Sequence, residues 1–335
     1  MGHVIGDVGA PRRGSMQFWP RSRAKRSYPR LTNSPKLKEP VLSSFSGYKV
    51  GMTHIMVIDN LKNSPTKGQE IVVPVTIIEC PPINVFAIRL YQETTIGLKI
   101  IGQINSESYE KVLANKLSVK NAEHKKSLTL EEAMKLSDKI AKVNLIIHTH
   151  PEMTAIGKKK PEVMEIPMGG DVKSALTKSF EILGKQVNVG DVFKEGEQLD
   201  MFSVTTGKGF QGSVKRYGVK IAPHKTEFIK RKAMNIGLHS PKKVTHNPPQ
   251  FGQMGYQTRV EYNKWLLKIE DPEKINVKGG YVKFGFPKNK VILVKGSIPG
   301  PKKRLIRIRK SIRPNKLIPA QPPQITYVST TSKQG

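Results

Sequence analysis

The surplus of positive charge in this chain lies entirely outside its middle third. Lysine and arginine number 57 against 26 aspartates and glutamates, which gives a formal net charge of +31. Residues 101–203 carry 15 basic and 15 acidic residues, so the whole surplus belongs to the flanking segments. A free protein with such a surplus repels itself, whereas a bound polyanion neutralises it and releases counterions. The distribution predicts nucleic-acid-binding flanks around one ordinary, neutral folded segment.

Three stretches concentrate the surplus. Residues 1–40 contain nine basic and two acidic residues, residues 205–260 contain eleven basic residues and one acidic residue, and no acidic residue follows Glu273. One charge run usually means only a solvated surface, but three runs almost without acids favour RNA or DNA as the partner. An anionic membrane is the rival partner, and it is disfavoured because neither a basic amphipathic helix nor a lipidation signal is visible.

Cysteine use and hydropathy restrict the compartment. The single cysteine, Cys80, rules out an internal disulfide framework. Apolar runs such as residues 143–147 are too short to cross a bilayer, and nothing at the start of the chain resembles a signal peptide. We therefore expect a soluble, cytoplasmic protein.

The flanking segments read as β-strands. Residues 48–58 and 71–79 are rich in β-branched side chains, and residues 281–286 and 291–295 suggest a hairpin. Residues 305–309 alternate, which places Ile306 and Ile308 on one face and Arg307 and Arg309 on the other, where they can meet phosphate. These strands predict one barrel that is interrupted by an insertion.

The neutral segment carries helix signals. Thr129 and Glu132 form a capping box before a helical stripe, and residues 143–147 read as a buried strand. Asp171 can begin a second helix that stops at Gly184. We expect this α/β insertion to stay off the nucleic acid.

Residues 205–260 contain too few apolar side chains for a core, and several prolines break any helix. So long a segment without regular structure is more typical of an arm that orders when it enters RNA. Phe251, Tyr256 and His239 could stack on bases there, while Trp19 could either stack or anchor the N-terminal segment on the barrel.

Two short motifs suggest other chemistry. Residues 207–212, GKGFQG, match the dinucleotide fingerprint, but residues 213–218 are too short and basic for the crossover helix that this motif needs. A flexible backbone lying close to RNA explains the glycines better. His148 and His150 share a face of a strand and could ligate a metal, but no third ligand stands nearby in a plausible pattern, so we expect a structural role.

No hydrolase, metalloprotease or nucleotide-binding lysine motif is present, so we expect neither an enzyme nor a cofactor nor a small-molecule substrate. The alternative is an RNA-modifying enzyme or a free RNA chaperone, which would require an acid–base pair or a cofactor cleft.

Six motifs in order along the chain together resemble one family. The motifs are APRRGSMQFWP (10–20), GYKVGMTH (47–54), VTTGKGFQG (204–212), VKRYG (214–218), GQMGY (252–256) and VKGSIPGPKK (294–303). They are similar to those of the third large-subunit ribosomal protein, the L-three family, in its archaeal branch. The resemblance covers nearly the whole chain.

The resemblance implies an α+β, mainly β fold: a translation-protein type β-barrel with an α/β insertion, a long basic central loop and an N-terminal extension. The expected boundaries are an extension at 1–45, a barrel at 46–100 and 190–310, an insertion at 101–189, a loop at 205–260 and a C-terminal tail at 311–335. Family members often carry a loop-tip tryptophan where this chain has His239.

The implied function is that of a structural constituent of the large ribosomal subunit. It would bind large-subunit rRNA beside neighbouring ribosomal proteins, support early assembly and shape the surroundings of the peptidyl-transferase centre. The expected rRNA contacts are polar, basic and aromatic side chains: Arg12, Arg13, Ser15, Trp19, Arg21, Arg23, Lys25, Arg26, Lys208, Gln211, Lys215, Arg216, Lys230, Arg231, Lys232, His239, Lys242, Lys243, Gln253, Tyr256, Arg259, Lys302, Lys303 and Arg304. No catalytic residue, metal or cofactor is expected.

Overall fold

A computed structural model of the chain describes residues 13–31, 33–118, 128–226, 230–232 and 242–332. The elements follow in the order β1 (Ser44–Ile58), β2 (Glu70–Glu79), β3 (Ile83–Thr94), β4 (Gly97–Asn105), α1 (Lys111–Leu117), α2 (Leu130–Lys135), β5 (Lys142–Thr149), β6 (Val163–Pro167), α3 (Val172–Ile182), β7 (Gln186–Val187), α4 (Val189–Val192), β8 (Gln198–Val204), β9 (Phe210–Gln211), α5 (Ser213–Tyr217), β10 (Gly252–Gln253), β11 (Thr258–Glu270), β12 (Val291–Lys295), β13 (Leu305–Lys310) and β14 (Ile325–Val328). Strands dominate, which confirms the α+β, mainly β class.

A closed antiparallel barrel forms the larger sheet. Its strands follow the order β13-β8-β11-β12-β2-β1, and β13 pairs back onto β1, so the sheet has no open edge there. The closing pair joins Ser44–Tyr48 of β1 to Leu305–Arg309 of β13. Further along the same edge of β1, β14 adds a short strand. The two strands expected at 48–58 and 71–79 are confirmed as β1 and β2.

The barrel core consists of β-branched and leucine side chains that point inward from every strand. Val50, Ile55, Val75, Ile77 and Leu293 have no exposed surface. Burying one such side chain contributes roughly 1.5–3 kcal/mol relative to leaving it in water. The β-branched enrichment that predicted the strands therefore also supplies the core.

The expected hairpin over 281–286 and 291–295 is wrong. Only Val291–Lys295 is a strand, and it pairs with β2 and β11. The preceding residues form a tight turn in which Tyr281 bridges Gly285, and the Tyr281 hydroxyl donates to the Ile275 carbonyl at 2.7 Å. Glycines with positive φ at 279, 280 and 285 favour this turn over an extended strand.

The arginine face of β13 is buried rather than open to phosphate. Arg307 and Arg309 are each only 3% exposed. Arg307 donates to the carbonyls of Pro29 and Glu165, and Arg309 forms an ion pair with Asp200, its register partner on β8. Burial lowers the pKa of Arg307 to about 10. The alternation of isoleucine and arginine along β13 was predicted correctly. The arginines, however, were expected to meet phosphate, whereas they bind protein groups.

A second sheet forms the insertion and begins earlier than expected. Its strands follow the order β4-β3-β5-β6, with β7 added beside β3. Because β3 and β4 pair with this sheet, residues 83–105 do not belong to the barrel, and the expected assignment of all of 46–100 to the barrel needs correction. Charge could not mark the boundary, since β3 itself contains only Arg89 and Glu93.

The helices of the insertion follow their sequence signals. Thr129 and Glu132 make both bonds of the capping box at α2. The helix predicted after Asp171 is α3, which ends just before Gly184, although the Asp171 side chain makes no capping bond. Ala175 and Leu176 of α3 are buried in the core of the insertion. The strand predicted at 143–147 is the centre of β5.

The chain divides into two compact units. One, termed here the arm unit, comprises residues 1–26 and 204–258; the other, the barrel unit, comprises residues 27–203 and 259–335. The predicted C-terminal tail is not wholly separate, because β14 lies within it and pairs with β1 in the barrel unit. In the described residues, no helix has both the length and the apolarity to traverse a lipid bilayer.

Candidate nucleic-acid interface

The described part of the arm unit contains many cations and no side-chain carboxylate. Residues 13–26, 204–226, 230–232 and 242–258 contain fifteen lysines and arginines and no aspartate or glutamate. The side chains of these described segments therefore carry a net charge of +15. This is the electrostatic footprint of a surface that binds phosphate.

A small folded base holds the two ends of the loop together. Strand β9 pairs with β10, and beyond it the Lys208 amide donates to the Met254 carbonyl at 3.0 Å. Gly255 has φ +68°, and a Cβ there would lie 2.1 Å from the Thr206 carbonyl oxygen. Only glycine permits this close approach. The sequence suggested a loop without regular structure. The structure instead shows that the loop begins from a hydrogen-bonded base.

The fingerprint glycines do not form a dinucleotide site. The strand before them, β8, is antiparallel to β13, and the helix after them, α5, has only five residues. A βαβ unit requires a parallel partner strand and a full crossover helix. Neither requirement is met around these glycines in the described residues.

The Arg216 side chain stabilises the folded base of the loop by donating hydrogen bonds to its backbone. Its Nε donates to the Gln253 carbonyl at 3.0 Å, and an Nη donates to the Gln250 carbonyl at 2.9 Å. The guanidinium also lies over the Tyr217 ring. These three contacts of the Arg216 guanidinium are all with residues of the arm unit.

Arg21 and Trp19 form the anchor of the N-terminal segment. The Arg21 guanidinium lies between the rings of Trp19 and Tyr217, at 5.2 and 4.6 Å from their centroids, and donates to the Ser15 carbonyl at 2.7 Å. The Trp19 indole also donates to the Ser15 carbonyl and meets the edge of His246. These contacts of Trp19 lie within the arm unit, and its stacking on RNA stays a prediction.

Tyr256 joins the N-terminal segment to the loop. Its carbonyl accepts the Ala24 amide at 2.8 Å, its ring lies 5.8 Å from the Arg23 guanidinium, and its φ is +52°. Gln253 and Gln211 direct their side-chain amides at nearby carbonyls of the same unit. These residues shape the backbone that presents the cations.

The remaining predicted contacts of the arm unit lie on its surface. Ser15 is exposed. Eleven of the predicted cations are exposed as well: Arg13, Arg23, Lys25, Arg26, Lys208, Lys215, Lys230, Arg231, Lys232, Lys242 and Lys243. Two predicted contacts, Arg12 and His239, lie outside the described residues.

An exposed aromatic pair was only half predicted. Phe251 was expected to stack on bases, and the structure places it 5.5 Å, centroid to centroid, from Phe210. Both rings are largely exposed, at 64% and 71%. Two adjacent exposed rings among cations form a stacking platform for unpaired bases. Phe210 lies within the glycine motif, where its register opposite Gln253 could not be seen from the sequence.

Four predicted contacts belong to the barrel unit. Lys302, Lys303 and Arg304 lie in the turn before β13, where Lys303 has φ +70° and its amide donates to the Lys49 carbonyl at 2.8 Å. Lys303 is exposed, and Arg259 on β11 is half-buried.

A cation-rich arm whose described residues include no aspartate or glutamate is typical of nucleic-acid-binding proteins. Comparison with known sequences identifies the family. The family model described as Ribosomal protein L3 matches residues 5–335. The chain belongs to this family, and with it to the ribosomal proteins rather than the enzymes, as the sequence predicted.

Archaeal relatives resemble the chain over almost its full length. The proteins named large ribosomal subunit protein uL3 from Methanocaldococcus jannaschii and Methanosphaera stadtmanae are 44% and 46% identical to it, over 98% and 97% of this chain and 99% and 98% of their own. The protein of the same name from Archaeoglobus fulgidus is 44% identical over 97% of this chain and 98% of its own. The archaeal resemblance expected from the motifs is confirmed.

Proposed function

We propose that the chain is a structural constituent of the large ribosomal subunit that binds large-subunit rRNA, mainly through the arm unit. The observation that carries the proposal is the set of fifteen cations without a side-chain carboxylate in the described part of that unit. The names of the relatives agree with this assignment. Cytoplasmic, ribosome-bound location and contact with neighbouring ribosomal proteins follow from the same proposal.

Some side chains of the arm unit stabilise its backbone and others are exposed, which supports RNA binding by a preformed surface. Arg21, Arg216 and Tyr256 hold the backbone, while exposed lysines such as Lys208 and Lys215 are available to phosphate. A preorganised cationic surface binds RNA with less loss of conformational entropy than a disordered one. The loop would fill space between rRNA helices, support early assembly and shape the surroundings of the peptidyl-transferase centre, where no residue of this chain needs to act chemically.

The test is the salt dependence of binding to a large-subunit rRNA transcript. The full-length protein should lose affinity steeply as salt rises, because each phosphate contact contributes about 0.7–0.9 to the slope of log K against log salt concentration. Replacing both Lys208 and Lys215 with glutamate should reduce that slope by roughly 1.4–1.8. The matched control replaces Lys173 and Lys194, exposed lysines of the barrel unit, with glutamate.

A flat salt response, or an equal effect of the control pair, would contradict the proposal. Retention on the large subunit separates a constituent from a transient RNA chaperone. The protein should remain with subunits sedimented through high salt, whereas a chaperone or an RNA-modifying enzyme should be released.

A further inference from the structure

Two histidines and a glutamate converge at the edge of the insertion sheet. His148 lies in β5, His150 follows the end of that strand, and Glu110 immediately precedes α1. The three side chains offer ligand atoms that all lie within 4.8 Å of one another. From the sequence a metal site at His148 and His150 was set aside for lack of a third ligand, and the fold brings Glu110 to them as that ligand.

The polar atoms face one another at separations that suit a shared cation better than hydrogen bonds. Glu110 Oε2 lies 3.8 Å from His148 Nε2 and 3.7 Å from His150 Nδ1. These distances exceed the 2.7–3.2 Å of an N–H···O hydrogen bond. Ligands about 2.0–2.1 Å from one tetrahedral zinc ion lie roughly 3.3 Å apart, so each histidine would have to approach the Glu110 carboxylate by about 0.5 Å to share an ion with it.

Both imidazoles are buried, and each turns one ring nitrogen toward Glu110. His148 is 2% and His150 is 3% exposed, and the nitrogens nearest the carboxylate are His148 Nε2 and His150 Nδ1.

Glu110 is oriented as a supported ligand. As the residue before α1 it makes no capping bond with its side chain. Instead its Oε1 accepts a hydrogen bond from the Asn84 side-chain amide, which leaves Oε2 directed at the histidines. Carboxylates that ligate metals are commonly held by such a second bond. A cavity of about 180 Å³, lined by Asn84, Glu110 and His148, provides access and room for water.

We propose that Glu110, His148 and His150 form a binding site for a divalent transition-metal ion, with zinc the favoured occupant. Two imidazoles and one carboxylate are a donor set that zinc accepts, with water in the fourth position. The ion would tie the segment before α1 to the end of β5 and so stabilise the insertion. This inference is independent of the rRNA-binding proposal, because all three residues belong to the barrel unit.

The test is a calorimetric titration of Zn²⁺ alone into the untagged full-length chain, stripped with a chelator and kept in high salt. The wild type should bind one Zn²⁺ per chain with saturation, and its Tm should rise with Zn²⁺. Glu110→Gln should weaken binding at least about tenfold, since loss of a mere supporting partner already costs that much. Because glutamine still accepts the Asn84 bond, the chelator-treated Tm of this variant should match that of the wild type.

A matched control removes an imidazole elsewhere. His54→Asn, on the exposed side of β1, should leave Zn²⁺ affinity unchanged, whereas His150→Asn should abolish saturable binding. Co²⁺ provides a readout independent of stability, because its visible absorption bands should appear with the wild type and vanish with Glu110→Gln. Absence of saturable Zn²⁺ binding to the wild type, or wild-type affinity in Glu110→Gln, would overturn the proposal.

Discussion

Replacing Asp200 with alanine should destabilise the barrel strongly, because it leaves the Arg309 guanidinium buried without its counterion. The two side chains are 1% and 4% exposed and form an ion pair across β8 and β13. Asp200 Oδ1 also accepts the Asn263 amide at 3.1 Å, and Arg309 donates to the Asn33 carbonyl at 2.8 Å. Among the residues that the structure describes, the Asn33 carbonyl and the Phe202 ring would remain as side-chain contacts of Arg309.

The magnitude follows from the surroundings of the pair. Breaking a buried ion pair by removing one partner costs about 3–5 kcal/mol. A cavity of about 600 Å³ borders Asp200 and Arg309, so water can reach the stranded guanidinium, and the cost should fall near about 3 kcal/mol. At roughly 2–4 °C per kcal/mol for a domain of this size, the Tm should fall by about 6–12 °C.

The assay is thermal unfolding of the full-length protein in high salt, followed by circular dichroism. Salt screens surface charges but affects a buried pair much less. The double variant Asp200→Leu with Arg309→Met should recover most of the loss, because apolar replacement of both partners removes the stranded charge. If Asp200→Ala melted within about 1 °C of the wild type, or the double variant were no better than the single, the pair would not be buried as described.

Three further perturbations test other parts of the molecule. Replacing residues 225–250 with a short glycine–serine linker should leave the far-ultraviolet spectrum of the barrel intact but impair incorporation into large subunits; an unfolded barrel would refute the arm assignment. Phe210→Ala with Phe251→Ala should weaken binding to single-stranded rRNA segments by about 1–3 kcal/mol per unstacked base, measured by fluorescence anisotropy, without changing the salt slope. Thr129→Ala should cost about 1 kcal/mol through loss of the capping box with Glu132, and amide exchange in α2 should accelerate while exchange in the barrel does not.

Local signals in this sequence predicted local structure well. The β-branched runs gave β1 and β2, and the Thr129 capping box gave the start of α2, because each depends on residues close together in the chain. The mainly β class followed from many such strands. Structural features that depend on residues close together in the chain can therefore be predicted from the sequence.

Partners distant in the chain were beyond the same reasoning. The alternation of Arg307 and Arg309 was visible, but their burial depends on Glu165 and Asp200, which only the sheet register brings near. Glu110 lies near His148 for the same reason. The pairing of β3 with β5 places Asn84 opposite His148, and the Asn84 side chain donates a hydrogen bond to Glu110. The start of the insertion was misplaced because strand pairing, not charge, assigns β3 to its sheet.

Closure of the barrel has a consequence for synthesis of the chain. The pair that seals it joins residues 44–48 to residues 305–309, so β1 waits for a partner that is synthesised long after it. Contacts so distant in sequence slow folding, since the intervening chain must lose its freedom before they form. Until then this edge of β1 is unpaired and can associate with other strands. The barrel should therefore reach its native state only after β13 has been synthesised, and the interval before that is when the nascent protein most needs protection.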